Sequence, residues 1–254
     1  MSALDLLASD QTAAQFAVIA TLVVVLAAVQ SVFGVGLLVF GTPLLLLLGY
    51  PFAAVLAYLL PCSIAVSTLQ VRASGGLTLE PIRRKFLRYT APAVLVGTVV
   101  VLLLGRNVDL RPAIGVMLLV TAVLRGVPAA REALGRLVHR RLTPFTLGLG
   151  VLHGLTNLGG GVLTAMVSSL YSDKRDVRRH IAFCYGIMAI IQLSTLLLTG
   201  RPDVPPLAYV ALPMLALGSY AVVGRALFVR AGNAVYQSLL TALIGSFGVL
   251  LVTT

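Results

Sequence analysis

Acidic side chains are scarce in this chain. Only 8 of its 254 residues are Asp or Glu, against 19 Lys and Arg, and charged residues of either sign make up 11%. A water-soluble domain carries about 25% charge, so there is too little polar surface here to cover a folded protein in water. Cysteine is nearly absent as well. Cys62 and Cys184 are the only two, which excludes a secreted disulfide scaffold, a CxxC redox motif and a cysteine-based zinc site. No spacing pairs the two as a disulfide. Tryptophan is missing altogether. The residues before Arg72 include no Lys or Arg, so the positive flank of a signal peptide is lacking. The first apolar segment is therefore expected to be a retained helix.

What is present is apolar. Hydrophobic residues make up 59% and the mean hydropathy is +1.01. The net charge of +11 would suggest nucleic acid in a soluble protein, but this hydropathy points to an all-α polytopic membrane protein with no nucleic-acid partner. A bilayer-spanning helix needs about 20 residues. Apolar segments alternate with short polar joints at 12–34, 36–49, 51–71, 89–105, 112–127, 143–158, 159–171, 180–199, 206–229 and 233–253. These ten leave no room for a second soluble domain.

If all ten segments cross, 16 of the 19 Lys and Arg residues fall on one side, and only Arg106, Arg111 and Arg201 fall on the other. The positive-inside rule places the rich side in the cytoplasm and both termini outside. The cell inner membrane is the expected location, and the bilayer is an expected partner.

Two segments, 36–49 and 159–171, are short, and each begins in a glycine cluster: Gly34-Val-Gly36 and Gly159-Gly160-Gly161. The clusters lie about 123 positions apart, and Cys62 and Cys184 match at 122. Five segments per half is an odd number, so the second half starts from the opposite side of the membrane. The expectation is two inverted five-helix repeats, 1–127 and 143–254, joined by a cytoplasmic linker over 128–142. Short, glycine-interrupted segments at matching places in two halves mark a transporter binding site.

The short helices suggest what such a site would hold. A helix N-terminus offers unpaired N–H groups and the positive end of a dipole, and glycine lets a ligand approach the backbone. One such cluster would serve close helix packing equally well. Two symmetric ones point to an anion between Gly34, Gly36, Gly159, Gly160 and Gly161. His153 and Asn157 share a helix face four residues apart, with Thr156 beside them. Gln30 and Ser31 occupy the equivalent stretch of the first half. Thr42-Pro43 lies inside the first short helix, where proline frees a carbonyl. Pro61 breaks the next helix beside Cys62 and Ser63, and Cys184 is the counterpart in the second half. Buried cysteines are usually inert, and facing a cavity is the sharper alternative. Every Asp and Glu falls at a segment end or in a joint, which suits an anion held by dipoles and opposes a cation. The run Asp173 to Arg179 is expected to be a solvated loop.

These motifs resemble one family. The first half carries Phe33-Gly-Val-Gly-Leu-Leu-Val-Phe-Gly-Thr-Pro43, and the second half carries Gly154-Leu-Thr-Asn-Leu-Gly-Gly-Gly161. Together they are similar to the TauE/SafE family, also called the 4-toluene sulfonate uptake permease family, over residues 15–253. Two departures stand out: Gly34-Val-Gly36 where a three-glycine run is common, and Leu60-Pro-Cys-Ser63 where a Thr-Ser pair is common. The resemblance implies a secondary carrier, commonly an exporter, for sulfite, sulfoacetate or related sulfur-containing anions. It implies no cofactor and no catalytic residue. A passive anion channel is the alternative reading, and a second copy of the chain is a candidate partner.

Overall fold

The computed structural model describes residues 3–74, 81–104, 111–199, 202, 204–230 and 232–253. Glu80, Arg106, Asp109, Arg201 and Asp203 lie outside the described residues. Among the described residues the chain is all-helical, in ten runs: α1 (Ala3–Phe33), α2 (Leu37–Leu47), α3 (Phe52–Ala73), α4 (81–104), α5 (Arg111–Gly126), α6 (Pro128–Thr156), α7 (Gly159–Leu170), α8 (Lys174–Thr199), α9 (Ala208–Arg230) and α10 (Asn233–Thr253). Six of these are long and apolar enough to cross a membrane, or seven if the bent pair α5–α6 counts as one span. The chain is a multi-pass membrane protein. The short helices α2 and α7 have 11 and 12 residues. At about 1.5 Å per residue each covers only about half of a hydrocarbon core about 30 Å thick.

The stretch 128–142 is itself helical. It opens α6 at 97° to α5 and buries Leu134 and Val138 while Arg131, Glu132, Arg136 and Arg140 face outward. Pro144 lacks the N–H that would bond to residue 140, and its ring crowds that carbonyl. The helix breaks one turn earlier, at Arg141 (φ −132°, ψ 39°). The fourth helix in each half, α4 and α9, carries a π turn, at Phe86–Thr90 and Tyr220–Gly224.

Helix packing pairs the two halves reciprocally. α3 packs on α8, α5 on α10 and α2 on α7, while α4 packs on α6 and α9 on α1. Small residues permit the tightest crossings, as expected where lipid removes any hydrophobic drive between helices. At the α4–α6 crossing a Cβ on Gly154 would lie 2.9 Å from Gly97 Cα. The outer faces stay apolar: Leu103, Leu198 and Val222 are more than 70% exposed.

One end of the bundle is basic. It gathers the end of α3, Arg125 at the end of α5, the end of α7 and the start of α8. Arg125 Nη1 donates to the Thr164 carbonyl at 3.0 Å and to Ser168 Oγ at 2.8 Å, and Nη2 donates to Gln237 Oε1 at 2.7 Å. This cation sits against the C-terminal half of α7, towards the negative end of its dipole.

The expected solvated loop from Asp173 to Arg179 is corrected by the structure. Its residues from Lys174 onward form the first turns of α8, and Arg178 is only 8% exposed. Arg83 and Arg125, also assigned to basic joints, are buried. Each guanidinium is held inside by aromatic rings or backbone carbonyls that a charge count along the sequence does not reveal.

Candidate functional site

Both long helices that precede a short one end in the same way. α1 stops at Phe33 and Gly34 adopts φ +83°. α6 stops at Thr156 and Asn157 adopts φ +60°, the only positive φ outside glycine among the described residues. Asparagine is one of the few side-chain-bearing residues that visits this left-handed region readily. The two positions are 123 apart in the chain. Gly34 N donates to the Gln30 carbonyl at 2.7 Å, and Asn157 N donates to the His153 carbonyl at 2.7 Å. A glutamine from the third helix of the same half then reaches each carbonyl. Gln70 Nε2 donates to Gln30 O at 2.6 Å, and Gln192 Nε2 donates to His153 O at 3.2 Å.

After each turn the chain doubles back. A Cβ on Gly36 would fall 2.5 Å from Gln30 N and 2.7 Å from the Leu26 carbonyl, so α2 starts alongside the last two turns of α1, not beyond its end. From there α2 runs to Leu48–Pro51, which shares a cavity with Ala14, Gln15 and Val18 of α1. α7 runs the other way, towards Arg125 and the basic end. The two short helices therefore run in opposite directions, and the start of α7 lies alongside the first turns of α2 inside the protein.

The breaks touch there. Asn157 Nδ2 donates to Thr42 Oγ1 at 2.8 Å, and both residues are buried. A Cβ on Gly160 would meet Val39 Cγ2 and Tyr185 Cε2, each at 2.6 Å. The Tyr185 hydroxyl lies at the same point, 3.0 Å from where that Cβ would stand, and it is buried without a hydrogen-bond partner among the described residues. His153 lies behind, its ring centroid 6.0 Å from that of Tyr185 and its Cβ closing over Gly159. Both ring nitrogens of His153 and Oδ1 of Asn157 are buried without a hydrogen-bond partner among the described residues. Buried polar atoms left unpaired are costly. First-turn N–H groups have no partner within their own helix.

The first break is better satisfied. Gln30 Oε1 accepts from Leu37 N at 3.2 Å, which caps α2, while Gln30 Nε2 donates to Ser63 O, Ser63 Oγ and Ser67 Oγ, all at 3.2 Å. Both polar atoms of the Gln30 side chain are thus paired.

The structure thus brings Thr42, Asn157, His153, Gly159 and Gly160 to one point, and sets Gln30, Ser63, Gly34 and Gly36 around the neighbouring turn. Pro43 is buried inside α2, and Gly161 lies against Thr121 of α5. Other expected residues turn elsewhere. Ser31 Oγ donates to Ala27 O and Cys62 Sγ to Tyr58 O, both within their own helices. Thr156 Oγ1 donates to Leu152 O and accepts from Leu158 N, closing the second turn. Cys184 is buried and free, as is Cys62. Gln70, Gln192, Tyr185 and Ser67 were missed by sequence reasoning. One signal existed: Gln70 and Gln192 stand 122 apart, the spacing of the two cysteines. Among the described residues no three His, Cys, Asp or Glu side chains gather as metal ligands.

A family model described as "Sulfite exporter TauE/SafE" matches residues 19–251. No curated protein and no solved structure matches the chain.

Proposed function

The chain belongs to the sulfite exporter TauE/SafE family, and from that membership we propose that it is a secondary carrier that exports a small sulfur oxoanion, such as sulfite or sulfoacetate. The anion binds where the two chain breaks meet. The observation that carries this reading is the meeting of two oppositely directed short helices at the Thr42–Asn157 contact, with a buried His153 ring beside it whose N–H has no partner among the described residues. A sulfur oxoanion spreads its charge over several acceptor oxygens. Backbone N–H groups at α2 and α7, the Asn157 amide, the Tyr185 hydroxyl and a His153 N–H match it without a full positive charge, in a setting where the helix dipoles favour an anion.

The repeat follows from the same features. We read α1–α5 and α6–α10 as inverted copies, all ten helices carrying the chain from side to side, with α2 and α7 as half-length pieces. The reciprocal packing of α4 on α6 and α9 on α1, the π turn in each fourth helix and the matched glutamine bonds all support it. Alternating access is then a rocking of one repeat against the other about a fixed site. The basic end is cytoplasmic by the positive-inside rule, and both termini are outside.

Efflux tests the substrate class. Cells expressing the chain and loaded with sulfite or sulfoacetate should lose it several-fold faster than cells carrying an empty vector. Equal loss for both anions, with the protein shown in the membrane, would refute the assignment.

A further inference from the structure

A cavity of about 430 Å³ opens at the basic end, lined by Ala73 and Ser74 of the α3 terminus, Arg175, Asp176, Arg178 and Arg179 of α8, and Tyr220, Phe228 and Val229 of α9. Three guanidinium groups face one carboxylate there, and that carboxylate is engaged by Arg179 at 3.0 Å. Arg178 is the built element. It is only 8% exposed, and its guanidinium stacks 3.4 Å from the Phe228 ring centroid. Nη1 donates to the Ser31 carbonyl at 3.2 Å, and Nε has no partner among the described residues. Stacking and one backbone bond hold the plane of the group rigid and leave the rest of its donor fork unused, as a planar donor for an oxoanion requires. Ser31 is adjacent to Gln30, whose carbonyl anchors the first break, so this arginine joins the cavity to the far side of the proposed transport site.

We infer that this cavity is a separate oxoanion-binding vestibule, with Arg178 as its ligand and Arg175 as its outer attractor, loading the anion from the basic end before it reaches the site between the breaks. The inference rests on the carrier reading for its cargo, but not for its binding chemistry. Sulfite, sulfate and a lipid phosphate share the groups it would hold.

The absence of tryptophan supplies the probe. In the full chain, Phe228→Trp places a single tryptophan under Arg178. In nanodiscs of phosphatidylcholine, sodium sulfite and sodium sulfate should change its emission saturably, and Arg175→Gln should weaken the response about fivefold or more. The same protein in discs containing phosphatidylglycerol identifies the source. A response pre-empted there means that a lipid phosphate occupies the vestibule, and an unaltered titration means that the free anion does; both support the site. In transport, Arg175→Gln should raise KM with Vmax kept. Arg178→Lys, which keeps the charge but not the planar fork, should retain part of the response that Arg178→Gln loses. An equal emission change with sodium chloride at matched ionic strength would overturn the vestibule, as would no change in a protein that still carries sulfite. A saturable change in a protein that carries no anion would instead sustain the vestibule and sink the carrier reading.

Discussion

Asn157 allows backbone and chemistry to be separated at the second break. Its left-handed conformation (φ 60°, ψ 14°) suits glycine fully, whereas alanine would adopt it only at about 1–2 kcal/mol. Asn157→Gly therefore relaxes the turn and deletes the amide alone. The bond to Thr42 Oγ1, 2.8 Å between two buried neutral groups, is worth about 0.5–1.5 kcal/mol. Thermal stability should thus change little, and Asn157→Ala should be the less stable of the two. If the amide also donates to the transported anion, the loss is that of a hydrogen bond to a charged group, about 1.5–3 kcal/mol. That corresponds to roughly 10- to 150-fold in affinity. Asn157→Asp is nearly isosteric but sets a carboxylate beside the anion. Two like charges about 4 Å apart repel by about 4 kcal/mol at an effective dielectric of about 20, or roughly a thousandfold. The assay is the initial rate of sulfite uptake into proteoliposomes over a concentration series, at equal reconstitution and with the melting temperature of each variant in hand. If folded Asn157→Gly and Asn157→Asp both stay within about twofold of wild type in KM and rate, the second break does not hold the anion and the site reasoning fails.

Gly160→Ala should be destabilised by about 1–3 kcal/mol and lose most flux, because the new Cβ would lie 2.6 Å from Val39 and Tyr185; melting and uptake report it. Gln70→Ala and Gln192→Ala should each lower the melting temperature by about 2–4 °C, the equivalent of about 1 kcal/mol in a chain of this size, and by similar amounts if the breaks are equivalent. Cys62 and Cys184 should resist a maleimide in the folded protein and both react after denaturation, since neither is exposed. On that quiet background, Arg175→Cys should be labelled by an impermeant maleimide only in inside-out vesicles and Leu48→Cys only in right-side-out ones.

Apolar segmentation was legible from the sequence because a bilayer demands long runs without charge: the described parts of the segments fall on helices, of which six, or seven with the bent pair as one, are long and apolar enough to cross. The two breaks were legible only as glycine clusters opening short helices: Asn157 was read as sharing a helix face with His153, whereas it stands past the end of α6 in the left-handed conformation that reverses the chain. The chemistry around them was less so. Gln70 and Gln192 resemble isolated polar residues in apolar helices until the fold brings their amides to carbonyls 40 and 39 residues away. Tyr185 carries no signal that distinguishes it from an interfacial aromatic. Arg178 sits in a run of charges that reads as a loop, and only tertiary packing against Phe228 and Ser31 shows it buried. Ser31, Cys62 and Thr156 were close in sequence to the right places, but helical polar side chains often bond to their own backbone, as these do.

Counterflow tests the central claim most directly. Proteoliposomes loaded with unlabelled sulfite, sulfoacetate, taurine or sulfate would be diluted into trace labelled sulfite. A carrier whose single site is exposed alternately to each side predicts transient accumulation above equilibrium with one or two sulfur oxoanion loads and none with taurine, and loss of the overshoot in Asn157→Asp. Equilibration without overshoot for every load would contradict that mechanism and establish a channel.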